Sequence, residues 1–177
     1  MLWLTHEQAQ ALIRHARDDA PNEACGVIAG EKDCAAEIIP IPNAAADPQQ
    51  TYYMDERALA RALLSLERRG LSLLAFYHSH PSSETIPSPV DVRHATYPDT
   101  PYLIVGLKGE PRLAAWQIRY GDVTPVPLHI GFAPPAPAAH AEPTSAQKAA
   151  ILLGALIAFV LVLVLSLTLL PPAPPIP

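Results

Sequence analysis

The segment His78-Ser79-His80-Pro81 is the part of this chain whose residue types and spacing best suit catalysis. Residues two apart on an extended segment point to the same side, so His78 and His80 can offer their imidazoles to one ion. Pro81 stiffens the exit and holds His80 extended. A loop of small and turn-forming residues follows, Ser82 to Pro87, and then Ser88-Pro89-Val90-Asp91. Ser88 is a good N-cap and Pro89 suits the first helical position, which puts Asp91 in the first turn, able to lean back toward the histidines. Two imidazoles and one carboxylate make a three-ligand set with a fourth position left for water, as catalytic zinc requires. A further carboxylate must take the water's proton and pass it to the leaving amine. Glu23, in Pro21-Asn22-Glu23-Ala24-Cys25-Gly26, is the best candidate, because it begins a short strand that could lie beside that of His78.

Each of these parts has a duller explanation. A His-x-His pair is often an accident of a polar strand end, Ser88 to Asp91 could be only a helix cap, and a lone glutamate is commonly solvated. A cap accounts for Ser88 and Asp91 but predicts neither histidine, so the conjunction favours a metal. Cys25 has no adjacent base and reads as a small buried hydrophobe. His94 reads as solvent-facing. His6, His15, His129 and His140 show no ligand spacing with one another.

The elements that must position these groups alternate. A helix begins at Thr5, where Thr5-x-x-Gln8 has capping-box form, and runs to about Arg17. Cys25 to Ala29 and Glu37 to Ile41 read as strands around a turn at Gly30 to Asp33, and Tyr52-Tyr53 as another short strand. Asp55 caps a helix with an apolar stripe of Leu59, Leu63, Leu64 and Leu66, stopped by Gly70. Leu71 to Tyr77 is a nearly continuous apolar run, expected as a central strand buried on both faces. Tyr102 to Leu107 and Leu113 to Ile118 read as further strands. The pattern is mixed α/β, one sheet covered by helices.

The chain has 177 residues, a net charge of -5 and 16% charged residues. No basic stripe is present, so nucleic acid is not an expected partner. The two cysteines, Cys25 and Cys34, form no disulfide framework or zinc ribbon and suit a reducing compartment. A globular domain is expected over residues 1–130. A Pro/Ala-rich linker follows over 131–148, most of it APPAPAAHAEPTSAQK. Residues 149–170, AAILLGALIAFVLVLVLSLTLL, carry no charge and, at about 1.5 Å per residue, are long enough for the roughly 30 Å hydrocarbon core of a membrane. A short Pro-rich tail, 171–177, ends the chain. The expectation is a single-pass, tail-anchored protein with no signal peptide. Lys148 before the span favours a cytoplasmic N-terminal domain. Nothing in the pattern sets an oligomeric state.

At its chemical residues the sequence resembles the JAMM (MPN-plus) metallopeptidases. Their signature is an upstream glutamate, then His-x-His-Pro, six residues, Ser, two residues and Asp. It is met in full by Glu23, His78-Ser79-His80-Pro81, Ser88 and Asp91. The resemblance covers about residues 1–120 and implies a curved mixed sheet between helices, related to the cytidine-deaminase arrangement. It implies Zn2+ held by His78, His80 and Asp91, Glu23 as general acid/base, and Ser88 as a donor to the tetrahedral oxyanion, with hydrolysis by metal-activated water. The flanks Glu23 to Gly30, Tyr97 to Val105 and Pro111 to Trp116 are similar to the bacterial branch acting on ubiquitin-like sulfur-carrier proteins, some members of which release cysteine. The long insertions of eukaryotic deubiquitinases are not evident. The alternative is a non-catalytic MPN-type scaffold tethered at a membrane; such members usually lack a ligand, and this chain lacks none. A deaminase of the related fold is excluded because no Pro-Cys-x-x-Cys pair is present.

Overall fold

A computed structural model describes residues 1–132, together with Gly154, Phe159, Leu161 and Val162. The unit that bears the candidate site is Met1–Ala133. Its elements, in chain order, are β1 (Leu2–Leu4), α1 (His6–Asp19), β2 (Cys25–Glu31), β3 (Cys34–Ile41), α2 (Glu56–Arg68), β4 (Ser72–His80), α3 (Pro89–His94), β5 (Tyr102–Gly106), β6 (Arg112–Arg119), β7 (Asp122–Val126) and β8 (Leu128–Ile130). The eight strands form one sheet in the order β7-β6-β5-β4-β2-β3-β1-β8. It is mixed: β4 runs parallel to β5 and β1 parallel to β3 and β8, whereas the β2–β3, β2–β4, β5–β6 and β6–β7 pairs are antiparallel.

Strand β4 lies near the middle of this sheet, and its period of two sorts its side chains between two cores. Ala75 and Tyr77 turn to one face and pack with Leu12, Ile13 and Ala16 of α1 and with Leu103 and Val105 of β5. Phe76 turns to the other face, where Val27, Ala62, Tyr102 and Ile118 form a second cluster with Leu59 of α2 and Val92 of α3 packed against it. Burying each of the larger side chains among these, such as Leu12, Ile13, Leu103 and Phe76, contributes about 1.5–3 kcal/mol. The even-numbered positions therefore carry Phe76, His78 and His80 on the face covered by α2 and α3.

The capping box at Thr5 is present in full, with Gln8 N–H on the Thr5 hydroxyl and Thr5 N–H on the Gln8 amide. Asp55 caps α2 by accepting the Ala58 N–H at 2.7 Å, and Gly70 adopts φ +68 just past its end. The apolar stripe of α2 differs from expectation at Leu64, which is 58% exposed while Leu66 is buried. At 100° per residue Leu64 falls about 140° from Leu59, off the face that Leu59, Ala62 and Leu66 share.

Tyr52-Tyr53 is not a strand; the one pairing in that loop is an isolated bridge between Asn43 and Met54. Strands β1, β7 and β8 were not expected. They are short or carry mostly exposed side chains, so no apolar alternation marks them. The linker over 131–148, the span over 149–170 and the tail over 171–177 lie almost wholly outside the described residues; Gly154, Phe159, Leu161 and Val162 are helical and exposed. No helix among the described residues is long and apolar enough to cross a membrane.

Candidate metal centre

Strand β4 ends by delivering His78 and His80 to the α3 face with their Nε2 atoms 3.1 Å apart. Asp91 enters from the first turn of α3. Its Oδ1 lies 3.5 Å from His78 Nε2 and its Oδ2 3.3 Å from His80 Nε2. One donor atom from each of the three residues lies within 4.8 Å of the other two, a spread that a single zinc ion can gather. All three residues are buried. The donor set fits the ion that the sequence resemblance implies.

Local structure explains why these atoms face one another. Ser88 N-caps α3, accepting the Asp91 N–H on its hydroxyl at 3.2 Å, while Asp91 Oδ2 accepts the Ser88 N–H at 2.6 Å. The reciprocal cap thus aims the Asp91 carboxylate, and the duller reading of Ser88 and the functional one hold together. The Ser88 hydroxyl proton remains available to donate. His80 Nδ1 lies 2.7 Å from the Glu84 carbonyl. Donation of Nδ1–H to that oxygen leaves the Nε2 lone pair for a metal. His78 is stacked on Tyr52 at a ring separation of 4.4 Å, which fixes its plane.

The loop between β4 and α3 is itself anchored. Trp116 Nε1 donates to the Thr85 carbonyl at 2.7 Å. A Cβ at Gly106 would sit 2.8 Å from Thr85 Cγ2, so a side chain there would press on this loop where it passes close over β5. Lys108 pairs with Glu84 at 3.3 Å.

Glu23 lies just before β2, whose Cys25 pairs with His78 across the antiparallel β2–β4 ladder. The expected neighbourhood of the Glu23 strand and the His78 strand is therefore present. Ser79, buried between the two histidines but facing the other way, accepts the Ala24 N–H on its hydroxyl at 2.8 Å. Its own N–H donates to the Ala24 carbonyl at 2.9 Å. The Glu23 N–H donates to Pro48 O at 2.7 Å, and its carbonyl accepts from Asn43 Nδ2 at 2.9 Å. Sequence reading did not single out Ser79, Asn43, Tyr52 or Trp116. Only Ser79 carried a signal, a small residue set between the two histidines at the end of the central strand.

The charges suit the arrangement. Burial pushes the Glu23 carboxyl up to about 7; His80 opposes this and Asp91 adds to it. An acid poised there can accept and return a proton near neutrality. Burial also works against the Asp91 carboxylate, but with no metal bound the protonated faces of the adjacent His78 and His80 imidazoles and the Ser88 N–H outweigh it and hold the group well below the usual carboxylate range. Burial lowers His78 and favours its neutral, ligating form. The Cys25 thiol is pushed up to about 12 by burial and donates to Ile41 O, which leaves it no role as a nucleophile. Both cysteines are free. His94 is exposed, as expected, although it also lines a cavity beside the site.

Residues 5–119 match the family described as prokaryotic homologs of the JAB domain. Over 95 residues the chain is 44% identical to the probable TtuB-protein conjugate cleaving protease of Thermus thermophilus, covering 54% of this chain and 63% of that protein's length. It is 34% identical over 121 residues to the desampylase of Haloferax volcanii, covering 65% of this chain and 87% of the relative. The CysO-cysteine peptidase of Mycobacterium tuberculosis is 34% identical over 135 residues, with coverage of 73% and 91%. Among solved structures, a protein of Desulfitobacterium hafniense superposes with a TM-score of 0.69 at 29% identity, covering 75% of this chain and 94% of that one. The JAB1/MPN domain protein of Archaeoglobus fulgidus, at 19% identity and a TM-score of 0.51, shares the fold over 75% of this chain and 100% of its own. The chain belongs to the prokaryotic JAB-domain family, as a member in which the JAMM hydrolase motif is complete.

Proposed function

We propose that this protein is a zinc-dependent peptidase or isopeptidase that hydrolyses an amide bond at the C-terminal tail of a ubiquitin-like or sulfur-carrier protein. The observation that carries this reading is the buried cluster of His78, His80 and Asp91, one donor atom from each within 4.8 Å of the others, flanked by a buried glutamate. The names of the relatives support the substrate class, since they include a conjugate-cleaving protease, a desampylase and a CysO-cysteine peptidase.

Zinc, when bound, supplies a Lewis acid that polarises a carbonyl and lowers the pKa of water to about 7. The chain's own groups do the rest. Glu23 takes a proton from the attacking water and returns it to the departing nitrogen. The Ser88 hydroxyl donates its free proton toward the oxygen on which charge develops. Burial of the three ligands and Glu23 keeps bulk water from screening these charges.

The test pairs metal analysis with cleavage of ubiquitin-like fusions. The parent should hold about one zinc, Asp91→Ala clearly less, and Glu23→Gln as much as the parent with turnover lost. Retained turnover in Glu23→Gln would remove Glu23 from the mechanism. A folded parent that takes up zinc but cleaves no fusion would leave the scaffold function instead. The uncharged span at 149–170 supports a membrane tether for this activity, and Lys148 before it supports a cytoplasmic side for the domain.

A further inference from the structure

A cavity of about 530 Å³ opens beside the metal centre, on the face of the sheet covered by α2 and α3. That size is within the ~300–1,000 Å³ of small-molecule sites. Tyr52, Phe76, Tyr97 and Tyr102 line it, together with Glu56 and Arg93. The rings form a continuous wall: Phe76 lies 4.8 Å from Tyr97 and 5.7 Å from Tyr102. The Tyr102 hydroxyl is already engaged, because it accepts the Tyr97 N–H at 3.0 Å. The wall is continuous with the metal centre. Tyr52 stacks on His78, and Phe76 precedes it by two residues on the same side of β4.

Its two charged groups are not equivalent. Glu56 accepts a hydrogen bond from the Tyr53 hydroxyl. Arg93, two residues past Asp91 on α3, makes no ion pair among the described residues. A guanidinium in a cavity walled by aromatic rings is suited to bind a carboxylate through two parallel N–H bonds.

The loop that contributes Tyr52 to this wall also holds the backbone of Glu23, the group that returns a proton to the departing nitrogen in the proposed reaction. Asn43 Nδ2 donates to the Glu23 and Thr51 carbonyls, and Asn43 Oδ1 accepts the Tyr53 N–H. Through Asn43 and Tyr52 the cavity adjoins both the backbone of Glu23 and the ring of His78. We propose that the cavity receives the leaving group and that Arg93 binds the free α-carboxylate of a C-terminal amino acid whose apolar side chain lies among the rings. Arg93 then selects release of one terminal residue over cleavage at a lysine side chain, which offers no carboxylate beside its amide nitrogen. In the step selected, the C–N bond breaks, the water oxygen joins the acyl carbon, and a water proton ends on the nitrogen. This inference rests on the proposed peptidase activity and names its leaving group.

The test is binding rather than turnover. The full chain in detergent, both zinc-loaded and stripped with a chelator, is titrated with N-acetyl-methionine, N-acetyl-methioninamide and Nα,Nε-diacetyl-lysine methylamide. The ring resonances of Tyr52 and Tyr97 are followed by NMR. The acid should bind at least tenfold tighter than its amide in both preparations, which separates Arg93 from carboxylate binding to zinc. Arg93→Ala should abolish the difference without changing the melting temperature, and Arg93→Lys should keep part of it. Equal affinity for acid and amide in the parent, an unchanged preference in Arg93→Ala, or tighter binding of the lysine derivative would each overturn the inference. Failure of every cleavage assay with the carboxylate preference intact would instead count against the peptidase activity alone.

Discussion

Asn43 donates through Nδ2 to the carbonyl oxygen of Glu23 at 2.9 Å, and the same group reaches Thr51 O at 3.2 Å. Its Oδ1 accepts the N–H groups of Ala45 and Tyr53, both at 3.0 Å. Both donors and both lone pairs of the side chain are in use. One amide therefore organises the loop between β3 and α2 and sets where Glu23 begins.

Replacing Asn43 with Ala should leave several backbone groups without partners and cost about 1–3 kcal/mol in thermal or urea unfolding. Turnover should fall by at least tenfold while zinc content stays at the parent level, because the three ligands belong to other elements. Equal losses of zinc and activity would show that Asn43 acts on the whole fold rather than on Glu23.

Trp116 bears on the candidate metal centre only through the chain. Its Nε1–H holds Thr85 O, next to the Glu84 carbonyl that faces His80 Nδ1. Trp116→Phe should weaken zinc affinity by roughly tenfold, the low end of effects seen when a partner of a metal ligand is removed. Competition with a chromogenic chelator measures this, and an unchanged affinity would disconnect the loop anchor from the metal site.

The metal-free protein should have a characteristic pH dependence. The Glu23 carboxyl is raised from 4.5 to about 7 in the folded state, so folded protein binds more protons than unfolded protein between those values. Its contribution to stability is present below about pH 4.5 and is lost as pH rises through 7. Glu23→Gln should remove that decline, gaining about 1–3 kcal/mol on the parent near pH 8 but little near pH 4. The Asp91 carboxylate works with the opposite sign: its stabilisation is present above the ordinary carboxylate range and is lost in stronger acid. A parent and a Glu23→Gln variant with parallel stability profiles in chemical denaturation would contradict the assignment of that titration to Glu23.

The uncharged stretch at 149–170 predicts that the full chain sediments with membranes and resists alkaline carbonate extraction. A chain stopped after Phe132 should remain in the supernatant. Release of the full chain by carbonate would set aside the membrane tether.

Much of the centre was legible in sequence because its spacing coincides with backbone periods. His78 and His80 share a face through the strand repeat of two, and Ser88-Pro89 announces a helix whose third residue is Asp91. Helices α1 and α2 were readable from their caps at Thr5 and Asp55. The residues that hold the centre in place were not legible. Asn43 and Glu23 are joined across 20 positions, and Trp116 and Thr85 across 31, and no local pattern encodes such a bond. The edge strands escaped for a different reason. Asp122–Val126 exposes nearly all its side chains and contains a proline, so its strand character comes from pairing with β6 rather than from its own composition.

The alternation of β4 has a consequence for how such proteins diverge. Ala75 and Tyr77 bind the sheet to α1, whereas His78 and His80 are spent on the opposite side, so stability and chemistry are written on interleaved letters of one strand. Drift at His78 and His80 can erase the donor set while Ala75, Phe76 and Tyr77 keep the strand packed on both faces. A lineage of this kind can lose its reaction in a few substitutions and go on as a binding module, with its cavity and surface free to take up another task.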